Sequence, residues 1–186
     1  LDQVLELVDH AARALDAVHV AGVVHRDLKP SNLFLVDALP RAWKVLDFGV
    51  SQSFAEIGAH SDEMVGTPQY MAPEQMNGDP IDHRADLYAL ATIAFRALSG
   101  RPPFVGDIQS LLVAVVTESV PRISELTEGL NPSVDYIFAI ALAKDPADRF
   151  PSATAFARAL RLATMGHIDD THLGRGVRLL ATPTAY

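Results

Sequence analysis

The stretch "HRDLKPSN" at residues 25–32 places a histidine, an arginine, an aspartate, a lysine and an asparagine within eight positions. Pro30 prevents an ordinary helix there, because its ring fixes φ and it has no backbone N–H to donate. Apolar residues stand on both sides, "GVV" before the octet and "LFLV" after it. A polar segment in this position is either a solvated loop or a working site, and the rest of the sequence must decide between them.

The composition of the 186 residues is typical of a folded globular protein, with 49% hydrophobic and 20% charged residues. A formal net charge of -8 without a basic run argues against nucleic acid as a partner, since phosphate-rich partners need a concentrated positive surface. There is no cysteine, which excludes disulfides and thiolate metal sites. The longest apolar run, "LYALATIAF" at 87–95, is too short to span a bilayer.

Hydrophobic periodicity predicts a mainly α-helical chain with a few short β-strands. Apolar residues at helical spacing predict a first helix that stops at Gly22, and the short runs "GVV", "NLFLV" and "WKVLDF" between 23 and 50 predict small strands flanking loops. Residues 51–72 lack periodicity, which predicts a long loop. The almost uniformly apolar "ADLYALATIAFRALSG" predicts a helix in the middle of the core, ended by Gly100. Further helices are predicted at about 107–117, 133–144 and 152–163, the last capped by Ser152.

The predicted domain covers residues 1–163. Residues 164–186 contain three glycines and little pattern, and we interpret them as a C-terminal tail or the start of a linker. The chain begins at Leu1 with helical periodicity in its first residues, so we expect it to have been cut out of a longer protein.

Two further motifs follow the octet, "DFG" at 47–49 and "GTPQYMAPE" at 66–74. In this order and spacing the three segments resemble the eukaryotic-type (Hanks-type) serine/threonine protein kinases. The sequences of the motifs are similar to those of the bacterial members. The resemblance covers the chain to about residue 163. It implies the C-terminal lobe of the kinase fold, an α+β family fold, with the N-terminal lobe absent from these residues.

The resemblance implies chemical roles for four residues. Asp27 matches the residue that orients the substrate hydroxyl and accepts its proton, and Lys29 matches the lysine that stabilises the transferring phosphate. Asn32 and Asp47 match the two magnesium ligands, whose oxygen donors suit Mg²⁺ and would also accept Mn²⁺. The physical demands of phosphoryl transfer agree, because the nucleophile must be held in line and the negative oxygens neutralised. The implied cofactors are ATP and Mg²⁺.

Regulatory roles are implied for three more residues. Arg26 resembles the arginine that receives a phosphate on the activation loop, and Ser61 is the candidate phosphosite. The two acidic residues after Ser61 leave open that fixed carboxylates do the same work, or that the loop is simply a solvated acidic segment. Thr67 in "GTP", together with Lys29, resembles the serine/threonine-specific branch, so Ser/Thr hydroxyls of proteins are the expected substrates.

Other matches are implied to be structural. His25 would pack under Phe48, and Asp86 would hold the backbone of the octet from beneath. Glu74 of "APE" would form a buried ion pair with Arg149 of "DPADRF".

Phe34 falls where the family places an apolar residue under the adenine ring. Core packing between strands is an equal alternative for this side chain.

The residues given contain no "GxGxxG", and the lysines are Lys29, Lys44 and Lys144, so the glycine-rich loop and strand lysine of the smaller lobe are not among them. We expect an active serine/threonine kinase in the parent protein and negligible transfer by the 186-residue piece alone. A non-catalytic kinase-like scaffold and a small-molecule phosphotransferase of the same fold are the alternatives.

The resemblance implies a cytoplasmic domain that binds ATP and protein substrates. Bacterial members often continue into a linker and a membrane span, so membrane anchoring of the parent downstream of residue 186 is left open. Dimerisation, the identity of the protein substrate and the activating signal are open as well.

Overall fold

The computed structural model describes residues 1–37, 39, 41–48 and 68–181, and within these ranges it contains seven α-helices and two short β-strands. The predicted mainly helical fold with a few short strands is confirmed. Single 3₁₀ turns occur at Pro30–Asn32, Pro68–Tyr70, Ile123–Glu125 and Pro146–Asp148. The helices are α1 (Asp2–Val20), α2 (Pro73–Asn77), α3 (Arg84–Ser99), α4 (Ile108–Thr117), α5 (Ser133–Ala141), α6 (Ala153–Thr164) and α7 (Asp170–Ala181), and the strands are β1 (Leu33–Val36) and β2 (Ala42–Val45).

Helix α3 is the centre of the core, as its apolar sequence predicts. Residues 85–95 are all buried, and the helix packs against α1, α5 and α6. Phe95 of α3 meets Phe138 of α5 with ring centroids 5.3 Å apart, and Phe138 meets Phe156 of α6 at 6.1 Å. Gly100 adopts a φ of 79° and ends α3 with its N–H on the carbonyl of Arg96. No helix in the described ranges has both the length and the apolar character needed to cross a bilayer.

The two strands form an antiparallel hairpin that packs against α1. Leu33 pairs with Val45, so the end of the octet lies beside the end of β2 and the "DF" that follows it. The strand predicted at "GVV" is wrong, because no strand forms at residues 22–24. Gly22, at a φ of 76°, and Val23 instead donate their N–H groups to the last carbonyls of α1, which closes that helix.

The C-terminal part contains a helix that the sequence analysis did not predict. Helix α7 packs along α5, and its Gly176 is buried against Tyr136. A Cβ at Gly176 would overlap the side chain and backbone of Tyr136, so the glycine permits the two helices to approach closely. Helix α5 ends at Ala141, three residues before the predicted end at 144. The domain boundary at residue 163 stays a prediction.

Candidate active site

The octet forms a loop between α1 and β1 whose backbone is held by Asp86, in the first turn of α3. The Asp86 side chain is buried, and its two carboxylate oxygens accept hydrogen bonds of 2.8 Å from the backbone N–H groups of His25 and Arg26. Arg26 adopts a φ of 66°, in the left-handed region that non-glycine residues rarely occupy. Such a conformation persists only where surrounding contacts enforce it. Here the two backbone N–H groups that donate to the buried Asp86 carboxylate enforce it.

The His25 side chain connects the octet to the segment before Asp47. Its Nδ1 accepts a 3.3 Å hydrogen bond from the Asp27 N–H, so the ring proton lies on Nε2, which donates to the Leu46 carbonyl at 2.9 Å. His25 is 1% exposed, and its ring lies 5.0 Å from the ring of Phe48, centroid to centroid. The structure thus places His25 in contact with Phe48.

Asp27 and Lys29 form an ion pair that faces solvent. Lys29 Nζ lies 2.7 Å from Asp27 Oδ2, with the Lys29 and Asp27 side chains 27% and 39% exposed. The buried Asn32 amide donates from Nδ2 to the Asp27 carbonyl at 2.9 Å. This bond uses the amide nitrogen and leaves Oδ1 of Asn32 for another partner. A carboxylate and an ammonium group therefore lie side by side on an anchored loop.

Asn32 and Asp47 supply two oxygen donors on adjacent segments. The Asn32 carbonyl accepts a 2.9 Å hydrogen bond from the Leu46 N–H, which brings Asp47 next to the octet. Asp47 is exposed and adopts a φ of 61°. A carboxylate and an amide oxygen fit Mg²⁺, which proteins often bind through one or two carboxylates with water or phosphate completing the octahedron. Among the described residues, no group of three or more His, Cys, Asp or Glu could hold a metal ion.

Glu74 and Arg149 form a buried, bidentate ion pair between α2 and the turn before α6. The two guanidinium nitrogens lie 2.6 and 2.7 Å from the carboxylate oxygens, and the side chains are 0% exposed for Arg149 and 5% for Glu74. The other three N–H groups of Arg149 donate to backbone carbonyls, those of Ala143, Arg84 and Lys144. All five donors are satisfied, which is the condition under which a buried pair is stable.

Of the remaining residues predicted from the sequence, two are described by the structure and two are not. Phe34 is 59% exposed on β1, so core packing between the strands is wrong for this side chain. Arg26 is exposed next to Asp27. Ser61 and Thr67 lie outside the described residues.

Sequence reasoning missed two residues that contact this loop. His19 of α1 lies with Nε2 2.7 Å from Asp86 Oδ2, and Gln75 of α2 donates from Nε2 to the Arg26 carbonyl at 2.7 Å. Both contacts join residues far apart in the chain, so no local pattern predicts them. A partial signal exists for Gln75, because glutamine three residues after a helix N-cap suggests a capping box, and its Oε1 does accept the Ala72 N–H.

Comparison with known proteins agrees with this architecture. Residues 2–159 match the protein kinase domain family. The chain is 42% identical over 170 residues to the serine/threonine-protein kinase Pkn1 of Myxococcus xanthus, covering 89% of this chain and 24% of that protein. It is 41% identical over 185 residues to PknD of Mycobacterium tuberculosis, covering 95% of this chain and 28% of that protein. The crystal structure of the M. tuberculosis PknI kinase domain matches with a TM-score of 0.65 at 32% identity, over 86% of this chain and 54% of that one.

The fold and the anchored loop define part of a protein kinase domain. The chain belongs to the Hanks-type serine/threonine protein kinase family and is similar to the bacterial Pkn kinases. It spans about half of the PknI kinase domain, at 54%, and 24% and 28% of Pkn1 and PknD.

Proposed function

We propose that this chain is the C-terminal, catalytic lobe of a serine/threonine protein kinase, which transfers the γ-phosphoryl group of ATP to Ser/Thr hydroxyls of proteins. The observation that carries the proposal is the solvent-facing pair of Asp27 and Lys29, 2.7 Å apart on a loop held by the buried Asp86. A carboxylate that can accept a proton and an ammonium that can neutralise a phosphate are the groups that this reaction requires from a protein.

Asp27 would orient the substrate hydroxyl and accept its proton as the oxygen attacks phosphorus. Its backbone carbonyl is held by Asn32 and its N–H by His25, so little reorganisation is needed at the moment of transfer. The Lys29 ammonium group, now 2.7 Å from Asp27 Oδ2, would need to move only slightly to contact the transferring phosphate. Positioning and charge neutralisation supply most of the catalysis in phosphoryl transfer.

The cofactor ligands would come from the same loop and its neighbour. Asn32 Oδ1 and the Asp47 carboxylate would hold Mg²⁺, or Mn²⁺ in its place, which neutralises negative charge on the phosphates when bound. The exposed ring of Phe34 would supply an apolar face for the adenine. We also propose regulatory roles for Arg26, with Ser61 as its phosphorylated partner, and a serine/threonine-selecting role for Thr67.

We propose activity for the complete protein, and negligible transfer by residues 1–186 on their own. The 186 residues contain no glycine-rich phosphate loop, and catalysis of this kind needs an enclosed, preorganised cleft. A cytoplasmic location, where ATP is available, follows from the same proposal.

The test uses the complete protein with Mg²⁺ and labelled ATP, offered a Ser/Thr-rich protein or an aminoglycoside. We expect label on serine or threonine of the protein, and a kcat about 10²–10⁴-fold lower for Asp27→Asn with an unchanged thermal unfolding midpoint. Transfer only to the aminoglycoside would favour the small-molecule phosphotransferase. A folded protein with no transfer would favour the scaffold, and an active Asp27→Asn variant would contradict the assigned base.

A further inference from the structure

The backbone of Arg26 is held at both of its polar groups. Its N–H donates to Asp86 Oδ1 at 2.8 Å, and its carbonyl accepts from Gln75 Nε2 at 2.7 Å. Between these two bonds the residue adopts a φ of 66°, which an unrestrained arginine would leave for a more common region. Two different elements, α3 and α2, therefore enforce one strained conformation.

The carbonyl that Gln75 holds belongs to the peptide group leading directly into Asp27. The N–H of the same peptide reaches His25 Nδ1 at 3.3 Å, a long bond that would not fix the peptide plane alone. Rotation of this plane would turn the Cα–Cβ bond of Asp27 and displace its carboxylate. We propose that Gln75 is a positioning residue, which acts through the Arg26 carbonyl to set the direction of the Asp27 side chain; this rests on the proposed function.

Gln75 can act in this way because it is itself held in place. Its Oε1 accepts a 3.0 Å hydrogen bond from the Ala72 N–H at the start of α2. The preceding residue, Glu74, is locked to Arg149 by the buried bidentate pair. The amide thus extends from the short helix α2 to the octet, and it couples the "APE" segment to the octet.

An amide is suited to this position because it donates and accepts at once. In Gln75→Glu one carboxylate oxygen would still accept the Ala72 N–H, while the other would face the Arg26 carbonyl with no proton between them. Protonation of that carboxyl at low pH restores a donor towards the Arg26 carbonyl. The variant therefore places the proposed hydrogen bond under the control of pH.

The experiment compares kcat and KM of the complete protein with those of Gln75→Glu at each pH between about 5 and 8.5. Near pH 8 we expect kcat to fall about tenfold, equivalent to about 1.4 kcal/mol, with the KM for ATP little changed. The ratio of variant to wild type should rise towards one as the pH falls. Gln3→Glu, the same change at an exposed position in the first turn of α1, is the matched control and should follow the wild type throughout.

A ratio that does not change with pH, or equal behaviour of the two glutamate variants, would overturn the proposal. Hydrogen exchange at the Arg26 and Asp27 amides provides a readout that does not depend on turnover. We expect faster exchange in Gln75→Glu than in the wild type at pH 8. Unchanged exchange would count against the proposal. If the wild type transfers no phosphate, the proposed function fails while the exchange measurement still decides the role of Gln75. Gln75→Met, which has no donor at any pH, should show the kcat loss without recovery, and recovery would contradict the proposal.

Discussion

Two carboxylate–cation pairs of nearly equal length lie in very different surroundings. Lys29 and Asp27 meet at 2.7 Å with side chains 27% and 39% exposed, whereas Arg149 and Glu74 meet at 2.6 Å and are 0% and 5% exposed. Every N–H donor of Arg149 is occupied, but the three donors of Lys29 make one hydrogen bond within the described residues. We therefore expect the buried pair to fix structure, and under the proposed function the exposed pair would contact the substrate.

The largest effect on stability is expected from breaking the buried pair. Glu74→Gln removes the charge partner of Arg149 and leaves a buried cation uncompensated, which should lower the free energy of unfolding by ~3–5 kcal/mol. Denaturant unfolding of the complete protein measures this difference. Glu128→Gln, the same change at an exposed glutamate, is the control and should alter stability by less than about 0.5 kcal/mol. A loss below about 1 kcal/mol for Glu74→Gln would show that the pair does not fix the structure.

A partly buried lysine that has no hydrogen-bonded carboxylate among the described residues extends the comparison. Lys144 Nζ donates to the Val115 carbonyl at 2.6 Å, near the end of α4, and lies 4.1 Å from the centre of the Phe104 ring. Burial lowers the pKa of Lys144 from 10.5 to about 7, against the raising effect of Glu118 and with a lowering contribution from Arg149. Between these two pKa values the unfolded chain binds more protons than the folded one, so stability rises as the pH increases through this window.

Lys144→Met should flatten that pH dependence. The wild type is expected to gain about 2–4 kcal/mol of stability between pH 7 and pH 10 relative to the variant. Denaturant unfolding of both proteins at these two pH values gives the difference, in which contributions from all other groups cancel. Equal slopes for the two proteins would mean that Lys144 is charged in the folded state across this window.

The smallest effect is expected for an ion pair on the surface of α1. Arg13 and Asp9 also meet at 2.7 Å, but their side chains are 68% and 32% exposed. Solvent and salt screen such a pair, so Arg13→Ala should cost about 0.3–0.5 kcal/mol, decreasing as salt is added. A loss above about 1.5 kcal/mol would contradict the claim that burial, rather than distance, separates these pairs.

The sequence predicted those parts of the molecule that depend on local pattern. The apolar run of α3 predicted the central helix, and Ser152 does cap α6 by accepting the Ala155 N–H. The octet "HRDLKPSN" indicated a candidate site, because its unusual density of polar residues is itself a local signal. Family membership followed from the order of three such motifs.

Contacts between distant segments could not be predicted in the same way. Gln75 and Arg26 are 49 positions apart, and His19 and Asp86 are 67 apart, so only the folded chain brings them together. Helix α7 was missed because its glycines were interpreted as part of a tail or the start of a linker, whereas Gly176 permits close packing against α5. The roles of the individual site residues stay predictions until they are tested by substitution.

The central claim is that the Asp27–Lys29 pair serves catalysis and the Glu74–Arg149 pair serves stability. Its most direct test measures both kcat and the free energy of unfolding for Asp27→Asn and Glu74→Gln in the complete protein. For Asp27→Asn we expect kcat to fall about 10²–10⁴-fold with a change in stability below about 1 kcal/mol. For Glu74→Gln we expect a stability loss of ~3–5 kcal/mol with a kcat at most about tenfold lower under conditions where it is folded. The opposite pattern, an active Asp27→Asn variant or a Glu74→Gln variant as stable as the wild type, would contradict the account.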